Sequence, residues 1–419
     1  MVQVAICGGG LAGATLALSL QKHGISCVIY DREAKDFAAG GNIALSPNAL
    51  RVLDHAGVYD QVRNIGYAFE TVAFTNGQGV ELARVYNGSY KIYNFPALRI
   101  QRSELRDALI KQCRRVGVEI YYEKKCVGVT SEDDSSATIE FEDGETVTAD
   151  YVVGCDGIHS KVRPFVRPHA KPEFQGLTGI SGTFEMSDLA DVDLQGLHLP
   201  CFLFGATGSF AIMPASSAGK SISYFATFET EEKSKEEWVA FDADKATLSK
   251  MVKERFLTSS SRWPPIVKAL CERAAPESLT NWPFYQVSPG TNWTSPLKRV
   301  IVIGDAAHAM PPSGGQGGAT SLEDAETLGY LFSRLYDSSF DQELRDQTVR
   351  SWEQHRITRL QKIQDFNTKN GNLRKTSKSV IQQSIKEWVI WALLKWMGPT
   401  MNSQWIYGYN AESVLAELW

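Results

Sequence analysis

The sequence predicts an α/β fold: a parallel sheet flanked by helices, interleaved with a mostly antiparallel second sheet and followed by C-terminal helices. Three features predict it. The chain opens with a strand, a glycine turn, a helix and a second strand. Two later apolar runs, Tyr151-Val152-Val153 and Val300-Ile301-Val302-Ile303, each end in a turn of glycine and aspartate. Residues from about 170 to 285 read as β-strands instead. A chain of 419 residues predicts two or three domains, which can interleave. The formal net charge of −5 argues against a nucleic-acid partner. Seven cysteines, an odd number without C-x-x-C spacing, point to a reducing compartment and a cytoplasmic location. The first strand begins at residue 2, which leaves no room for a signal peptide, and no run of about 20 apolar residues offers a membrane span.

Taken in order, Val2, Val4, Ala5 and Ile6 suit a strand buried on both faces. It runs into Cys7-Gly8-Gly9-Gly10-Leu11-Ala12-Gly13, in which Gly8, Gly10 and Gly13 fit G-x-G-x-x-G. Gly8 allows the tight turn, Gly10 admits a pyrophosphate, and Gly13 lets the next helix pack close. That helix, roughly Leu11 to His23, offers unpaired N–H groups and its positive dipole end to phosphate, and Gly24 is the expected stop. A second strand, Cys27 to Tyr30, ends at Asp31, near the offset of about 20 residues expected for the acid that holds a ribose hydroxyl. The reading is a Rossmann-like dinucleotide site, with NAD and FAD both open.

Two later motifs bear on that choice. Tyr151-Val152-Val153-Gly154-Cys155-Asp156-Gly157 is a strand ending in Asp-Gly, with Ser160 as a candidate N-cap. Val300-Ile301-Val302-Ile303-Gly304-Asp305 continues through Pro311-Pro312-Ser313-Gly314-Gly315-Gln316-Gly317-Gly318 into a helix beginning near Ala319. With these motifs in this order, residues 1 to about 335 resemble the class A flavoprotein monooxygenases, which share the p-hydroxybenzoate hydroxylase fold. The segment Gly40-Gly41-Asn42 to Leu50 and Arg102-Ser103-Glu104-Leu105 are also similar to family segments, especially of fungal secondary-metabolism and salicylate-hydroxylase-like members.

The resemblance implies tightly bound, non-covalent FAD and a transient NADPH or NADH. Flavin reduced by NAD(P)H would add dioxygen to give a C4a-hydroperoxide, whose distal oxygen passes to an electron-rich aromatic or polycyclic substrate. The implied cofactor-binding set is Gly8, Gly10, Gly13, Asp31, Arg32, Gly41, Asn42, Arg102, Asp156, Asp305, Gly317 and Gly318. Asp305, delivered at a strand's carboxyl end, suits the ribityl hydroxyls. Free N–H groups at Gly317 and Gly318 and the helix dipole behind them suit the charge of a reduced flavin. Arg102, at a helix start with Ser103 as N-cap, is the counter-charge for pyrophosphate. Asp31 stands where the family more often has glutamate, and Arg32 is expected to flank the adenosine. Asp156 keeps two readings, a flavin-side contact or a local turn partner of Arg163 or nearby backbone. His308 is expected to be a structural hydrogen-bonder. The histidines and cysteines show no metal spacing, so no metal is expected.

The expected division is 1-67, 97-168 and 286-339 for the FAD-binding domain, 68-96 and 169-285 for the substrate-binding domain, and 340-419 for the C-terminal helices. Asn76-Gly77 and Asp143-Gly144 signal hairpins. The catalytic candidates are Tyr224 and His198, with Tyr90 and Tyr93 behind them. No arginine lies between Arg167 and Arg255, so the predicted antiparallel sheet lacks one of its own. Phe202, Phe204, Phe210 and Phe225 are candidate walls of an apolar pocket. In the tail, Arg374, Lys375, Lys378, Lys386 and Lys395 surround Trp388, Trp391 and Trp396, a pattern for packing on the protein itself or for peripheral membrane contact. The expected activity is aromatic or heteroaromatic hydroxylation. The alternatives are epoxidation or oxidative rearrangement of an indole or polyketide, and flavin reduction without oxygen transfer.

Overall fold

The computed structural model describes residues 2–37, 40–194, 196–258, 263–336, 341–371, 380–400 and 403–418. The tail residues Arg374, Lys375 and Lys378 lie outside this set.

Apolar runs that cannot face water on either side form the first sheet. Its strands run in the order Glu119–Tyr121, Cys27–Tyr30, Val2–Cys7, Thr146–Gly154, Ala137–Phe141, Cys126–Glu132. The long strand Thr146–Gly154 forks. Its first half pairs with Ala137–Phe141, and its last three residues pair in parallel with Val300–Val302. Register brings the carboxyl ends level: Cys7 lies opposite Tyr30 and Gly154, and Gly154 opposite Val302. Backbone bonds close that edge, from Gly8 N–H to the Tyr30 carbonyl at 2.8 Å, Cys155 to Cys7 at 2.8 Å and Ile303 to Gly154 at 3.1 Å. Helices Leu11–Lys22 and Gly317–Leu335 lie together on this sheet, with Ser19 packed directly on Gly329. A Cβ on Gly329 would come 2.0 Å from Ser19 Oγ.

The second sheet runs Thr280–Gln286, Glu173–Glu185, Ser221–Glu229, Gly208–Pro214, Cys201–Gly205, Thr71–Asn76, Glu81–Tyr86. All its pairings are antiparallel except that of Cys201–Gly205 with Thr71–Asn76. One face packs on helices Lys245–Phe256 and Pro265–Arg273 through Leu203, Phe210, Ile212, Tyr224 and Phe228. The charged stretch after Thr230 forms two helices, because Asp244 ends Lys235–Ala243 and caps the next helix through Thr247. Residues 67–69 also differ from expectation. Tyr67–Phe69 joins a separate three-stranded sheet, Asn42–Leu45, Ala97–Gln101, Tyr67–Phe69, which stands between the two large sheets. The start of helix Arg102–Arg115 falls one residue before the expected cap at Ser103.

C-terminal helices Gln342–Gly371, Gln404–Tyr407 and Ala411–Leu418 pack on the first sheet's helices. A fully buried ion cluster fixes them. Glu323 accepts from Arg359 at 2.6 and 2.7 Å and from Arg356 at 3.0 Å, while Asp324 accepts from Arg356 Nε at 2.8 Å. Asn48 donates to Glu323 at 2.7 Å, which ties the segment after Asn42–Leu45 to the same point. Burial alone would raise the Glu323 carboxyl, but Arg359 and Arg356 hold it low. Helix Val380–Met397 packs Ile390 and Leu394 on Val85 and Phe204, whereas Trp388 and Trp396 face outward at 64% and 82% exposure. One face of this helix therefore packs on the protein itself, and the other leaves tryptophans exposed. Among the described residues no helix is long and apolar enough to cross a membrane.

Glu323→Ala would leave Arg359 buried without its carboxylate. The expected cost is about 3–5 kcal/mol, read as a lower denaturation midpoint in a denaturant melt.

Candidate active site

Three turns meet at the level carboxyl edge of the first sheet. Gly8 has φ +104°, and a Cβ there would lie 2.6 Å from the Cys155 carbonyl oxygen. A Cβ on Gly13 would fall 1.9 Å from the Gly8 carbonyl oxygen, so only glycine lets helix Leu11–Lys22 start this close to its strand. Gly304, at φ +62°, sits between Ala12 and Ser321, with its virtual Cβ 3.2 Å from Ala12 Cβ and 3.1 Å from Ser321 Oγ. The first glycine turn and the last are thus neighbours, although about 300 residues separate them. Asp305 follows at once, half-buried, and its carboxylate has no hydrogen-bond partner among the described residues. Behind it, Arg163 and Arg167 donate to the carbonyls of Ala306 and Ala307, at 2.9 and 2.5 Å.

The expected site residues fall along this edge and beside it. Asp31 is buried, and its Oδ2 accepts from Arg106 at 2.8 Å. Arg106 Nε also donates to the Gly9 carbonyl at 3.1 Å, so one guanidinium ties the glycine turn to the acid. Arg106 was not expected. Its position one helical turn after Arg102 is the signal that could have found it. Arg32 points outward and pairs with Glu33 at 2.8 Å. Arg102 lies against Gly40, and its guanidinium sits 5.7 Å from the ring centre of Trp282, on the second sheet. Open space lies where a Cβ would project at Gly10, Gly41 and Gly317. Gly318 instead abuts Ile43, 2.4 Å from a virtual Cβ, which joins the helix start to strand Asn42–Leu45. Asn42 Oδ1 is buried without a partner.

Asp156 does not pair with Arg163. Its Oδ2 accepts from the Lys161 and Val162 N–H groups at 2.6 and 3.3 Å, while Oδ1 is buried and unpartnered. Burial pushes this carboxyl up. Ser160 Oγ accepts from Arg163 N–H at 2.9 Å, but the short helix is Arg163–Val166 and its N-cap is Val162, two positions after the expected Ser160. His308 is wholly buried. Its Nε2 bonds Asp324 and its ring lies on Trp293, a structural place as expected.

The catalytic candidates fare differently. Tyr224 belongs to the face of the second sheet that packs on helices. It stacks on Phe210 at 4.9 Å, its hydroxyl is buried without a partner, and burial pushes its phenol up. Strand alternation sends its neighbours Ser223 and Phe225 to the other face, so Tyr224 is corrected from catalytic candidate to core residue. His198 bonds Thr71 Oγ1 at 3.0 Å beside the first residue of strand Thr71–Asn76. Tyr93 is buried edge-on against Tyr407, and Tyr90 is exposed. The four expected phenylalanines do not share one wall. Phe210 faces the helices, Phe204 is covered by Ile390 and Leu394, and Phe225 lies over Gly179 and stacks on Phe284. Phe202 alone of the four borders the apolar group of Phe69, Val72 and Ala97, together with Tyr67 and Phe74.

Strands Glu173–Glu185, Cys201–Gly205, Gly208–Pro214 and Ser221–Glu229 carry no arginine, and one reaches them from the small sheet. Arg99, in strand Ala97–Gln101, donates to Ser223 Oγ at 2.8 Å and reaches Met213 Sδ at 2.9 Å. Its Nε is buried without a partner. Among the described residues no cluster of histidine, cysteine and carboxylate side chains is arranged to hold a metal.

Comparison with known proteins agrees with this geometry. The family model described as FAD binding domain matches residues 1–366. The dual trans-enoyl reductase/FAD-dependent monooxygenase tazHJ of Aspergillus terreus is 31% identical over 359 residues, 80% of this chain and 48% of that protein, so the chain spans about half of it. The 6-hydroxynicotinate 3-monooxygenase of Bordetella bronchiseptica is 26% identical over 380 residues, 89% of this chain and 92% of the relative. Klebsiella pneumoniae HpxO complexed with FAD and uric acid shares the fold, with a TM-score of 0.76 at 22% identity over 99% of this chain and 97% of that one. Matched over most of its length, the chain belongs to the FAD-binding-domain family and is a class A flavoprotein monooxygenase, an FAD-dependent oxidoreductase.

Proposed function

We propose that the protein hydroxylates a small aromatic or heteroaromatic compound, using NAD(P)H and dioxygen. The observation that carries the reading is the meeting of the glycine turn at Gly8–Gly13, Asp156, Asp305 and the start of helix Gly317–Leu335 at one sheet edge. The residues there fit FAD. Open space above Gly10, Gly41 and Gly317 forms a cradle, and Asn42 Oδ1, Asp156 Oδ1 and the Asp305 carboxylate are acceptors awaiting donors. When bound, FAD supplies electron transfer from the nicotinamide and the activation of dioxygen.

The chain's own residues do the rest. The N–H groups that open helix Leu11–Lys22 would bind pyrophosphate, and Arg102 would add its charge. Asp31 accepts from a ribose hydroxyl while Arg106 fixes its orientation. Asp305 accepts from the ribityl chain. The N–H groups of Gly317 and Gly318 would help hold the flavin and would stabilise negative charge on it. Arg32 takes no part beyond flanking the adenosine at the surface. Residues 1-67, 97-168 and 286-339 act as the FAD-binding domain, and 68-96 and 169-285 as the substrate-binding domain, with Tyr67–Phe69 at their boundary. Tyr67, Phe69 and Phe202 supply an apolar wall that keeps bulk water from the reacting centre. Asp324 holds His308 away from this chemistry.

Product formed under 18-O dioxygen should gain one labelled oxygen by mass spectrometry, and unlabelled product rejects oxygen transfer. Asp305→Ala should purify colourless, and full flavin occupancy in its visible spectrum refutes the ribityl role. Arg106→Ala should keep FAD but raise its Kd about tenfold or more, because Asp31 loses a charge-assisted bond. Fluorescence titration of the stripped protein measures that.

A further inference from the structure

Helix Val380–Met397 lies on the second sheet with its polarity reversed. A surface helix normally turns its apolar stripe inward and its polar groups to water. Here Gln383 and Glu387 turn inward. Gln383 donates to the Phe204 carbonyl at 3.0 Å, and Glu387 accepts from Asn76 at 3.2 Å and from Gln383 at 2.8 Å. Ile390 and Leu394 continue the same side and pack on Val85 and Phe204. Positions 383, 387, 390 and 394 keep the spacing of one helical face. The opposite face carries Ile381, Ile385, Trp388 and Trp396, with Ala392 between them, at the same spacing. These four large side chains are exposed, Ile381 at 74%. Trp391 and Leu393 flank the stripe and are exposed as well. Single exposed apolar residues are ordinary on a protein surface, but a contiguous stripe marks an interaction face. The inward hydrogen bonds and apolar contacts fix the helix in place, so the stripe is a held surface.

Its chemistry selects the occupant. Tryptophan favours the boundary between water and lipid, where the ring meets acyl chains and the indole N–H stays hydrated. Lys395 stands at the margin of the stripe, with its ammonium 4.7 Å from the ring centre of Trp391. A lysine so placed lays its stem along apolar surface and keeps its charge at headgroup level. The helix carries one carboxylate, Glu387, and it is turned to the protein side. The outward face is therefore apolar and cationic, which complements an anionic bilayer surface. A second copy of the chain would present the same cationic face, with no carboxylate to meet it. No described helix is long and apolar enough to cross a membrane, so the contact lies in the interface plane.

We propose that helix Val380–Met397 docks the protein peripherally on an anionic phospholipid surface, with Ile381, Ile385, Trp388 and Trp396 set among the headgroups. The proposal goes beyond the hydroxylase reading and does not depend on it. Phe204, beneath the helix, stacks on Phe74 at 5.8 Å, and Phe74 reaches Phe202 at 5.8 Å, beside the apolar group of Phe69 and Val72. Docking would hold this apolar layer, which leads to the substrate side, about 10 Å, one helix diameter, from the lipid.

The test mixes the flavin-loaded full-length protein with unilamellar vesicles of phosphatidylcholine, with and without phosphatidylserine, and measures co-sedimentation. The protein should pellet with the vesicles and bind those containing phosphatidylserine more tightly. Trp388→Ser combined with Trp396→Ser should weaken binding about 10- to 100-fold, the effect of two side chains no longer withdrawn from water. Lys395→Ser should weaken binding to the phosphatidylserine vesicles about fivefold and leave binding to phosphatidylcholine unchanged. Both variants should keep the wild-type Tm and visible flavin spectrum, because these side chains face away from the fold. Absence of binding to either vesicle overturns the proposal, and so does binding that survives the double tryptophan variant. A dimer seen by light scattering without vesicles, and split by the double variant, also overturns it and assigns the face to a second copy. A fall in Tm of the double variant overturns it by making these rings part of the fold.

Discussion

The buried ion cluster around Glu323 and Asp324 sets the position on which the rest of the cofactor edge depends. Helix Gly317–Leu335 must present its first turn to the open space beside Asn42, and a helix packed only by apolar side chains can rotate or slide by small steps. Carboxylates at adjacent positions, held by Arg356 and Arg359 from a following helix, remove that freedom. Ionic groups in a dry interior add little net stability over apolar ones. Here they specify one arrangement: any rotation would leave a charge unpaired. The same cluster takes in Asn48, and through it the strand that carries Asn42. His308 completes it from the other side.

The substrate side is built by a different rule. Its walls come from two sheets with no hydrogen-bonded strand pairing between them, and aromatic residues fill the seam. Tyr67 and Phe69 project from the small sheet, and Phe74 and Phe202 from the large one. Their contact is apolar and non-directional, which suits a surface that has to accommodate a ligand. The directional element there is Arg99, which crosses the seam to Ser223.

The cofactor half was largely legible in the sequence because its signals are local. A glycine run after a strand, an acid after the next strand, and Gly-Asp before a glycine turn each depend on a few adjacent residues, and the parallel sheet then brings them together. The substrate half was less legible because it depends on which face a strand presents. Tyr224 sits one residue from Ser223, and that single step sends it into the helix-facing core. Phe210 was misread for the same reason, whereas Phe204 shares the face of Phe202 and is covered by Ile390 and Leu394 of the tail. Arg99 and Arg106 escaped because each acts on residues distant in sequence, Met213 and Ser223 for one, Gly9 and Asp31 for the other. No local pattern records such a reach.

The close contact between helices Leu11–Lys22 and Gly317–Leu335, at Gly329 and beside Gly304, has a consequence for how such a protein can diversify. Only small side chains fit at that crossing, Ser19 against Gly329 and Ala12 and Ser321 around Gly304, so there is little to vary. The second sheet touches none of it. Its inward residues can drift in size and polarity without disturbing the electron-carrying half, so new chemistries can be explored one strand at a time on an unchanged engine.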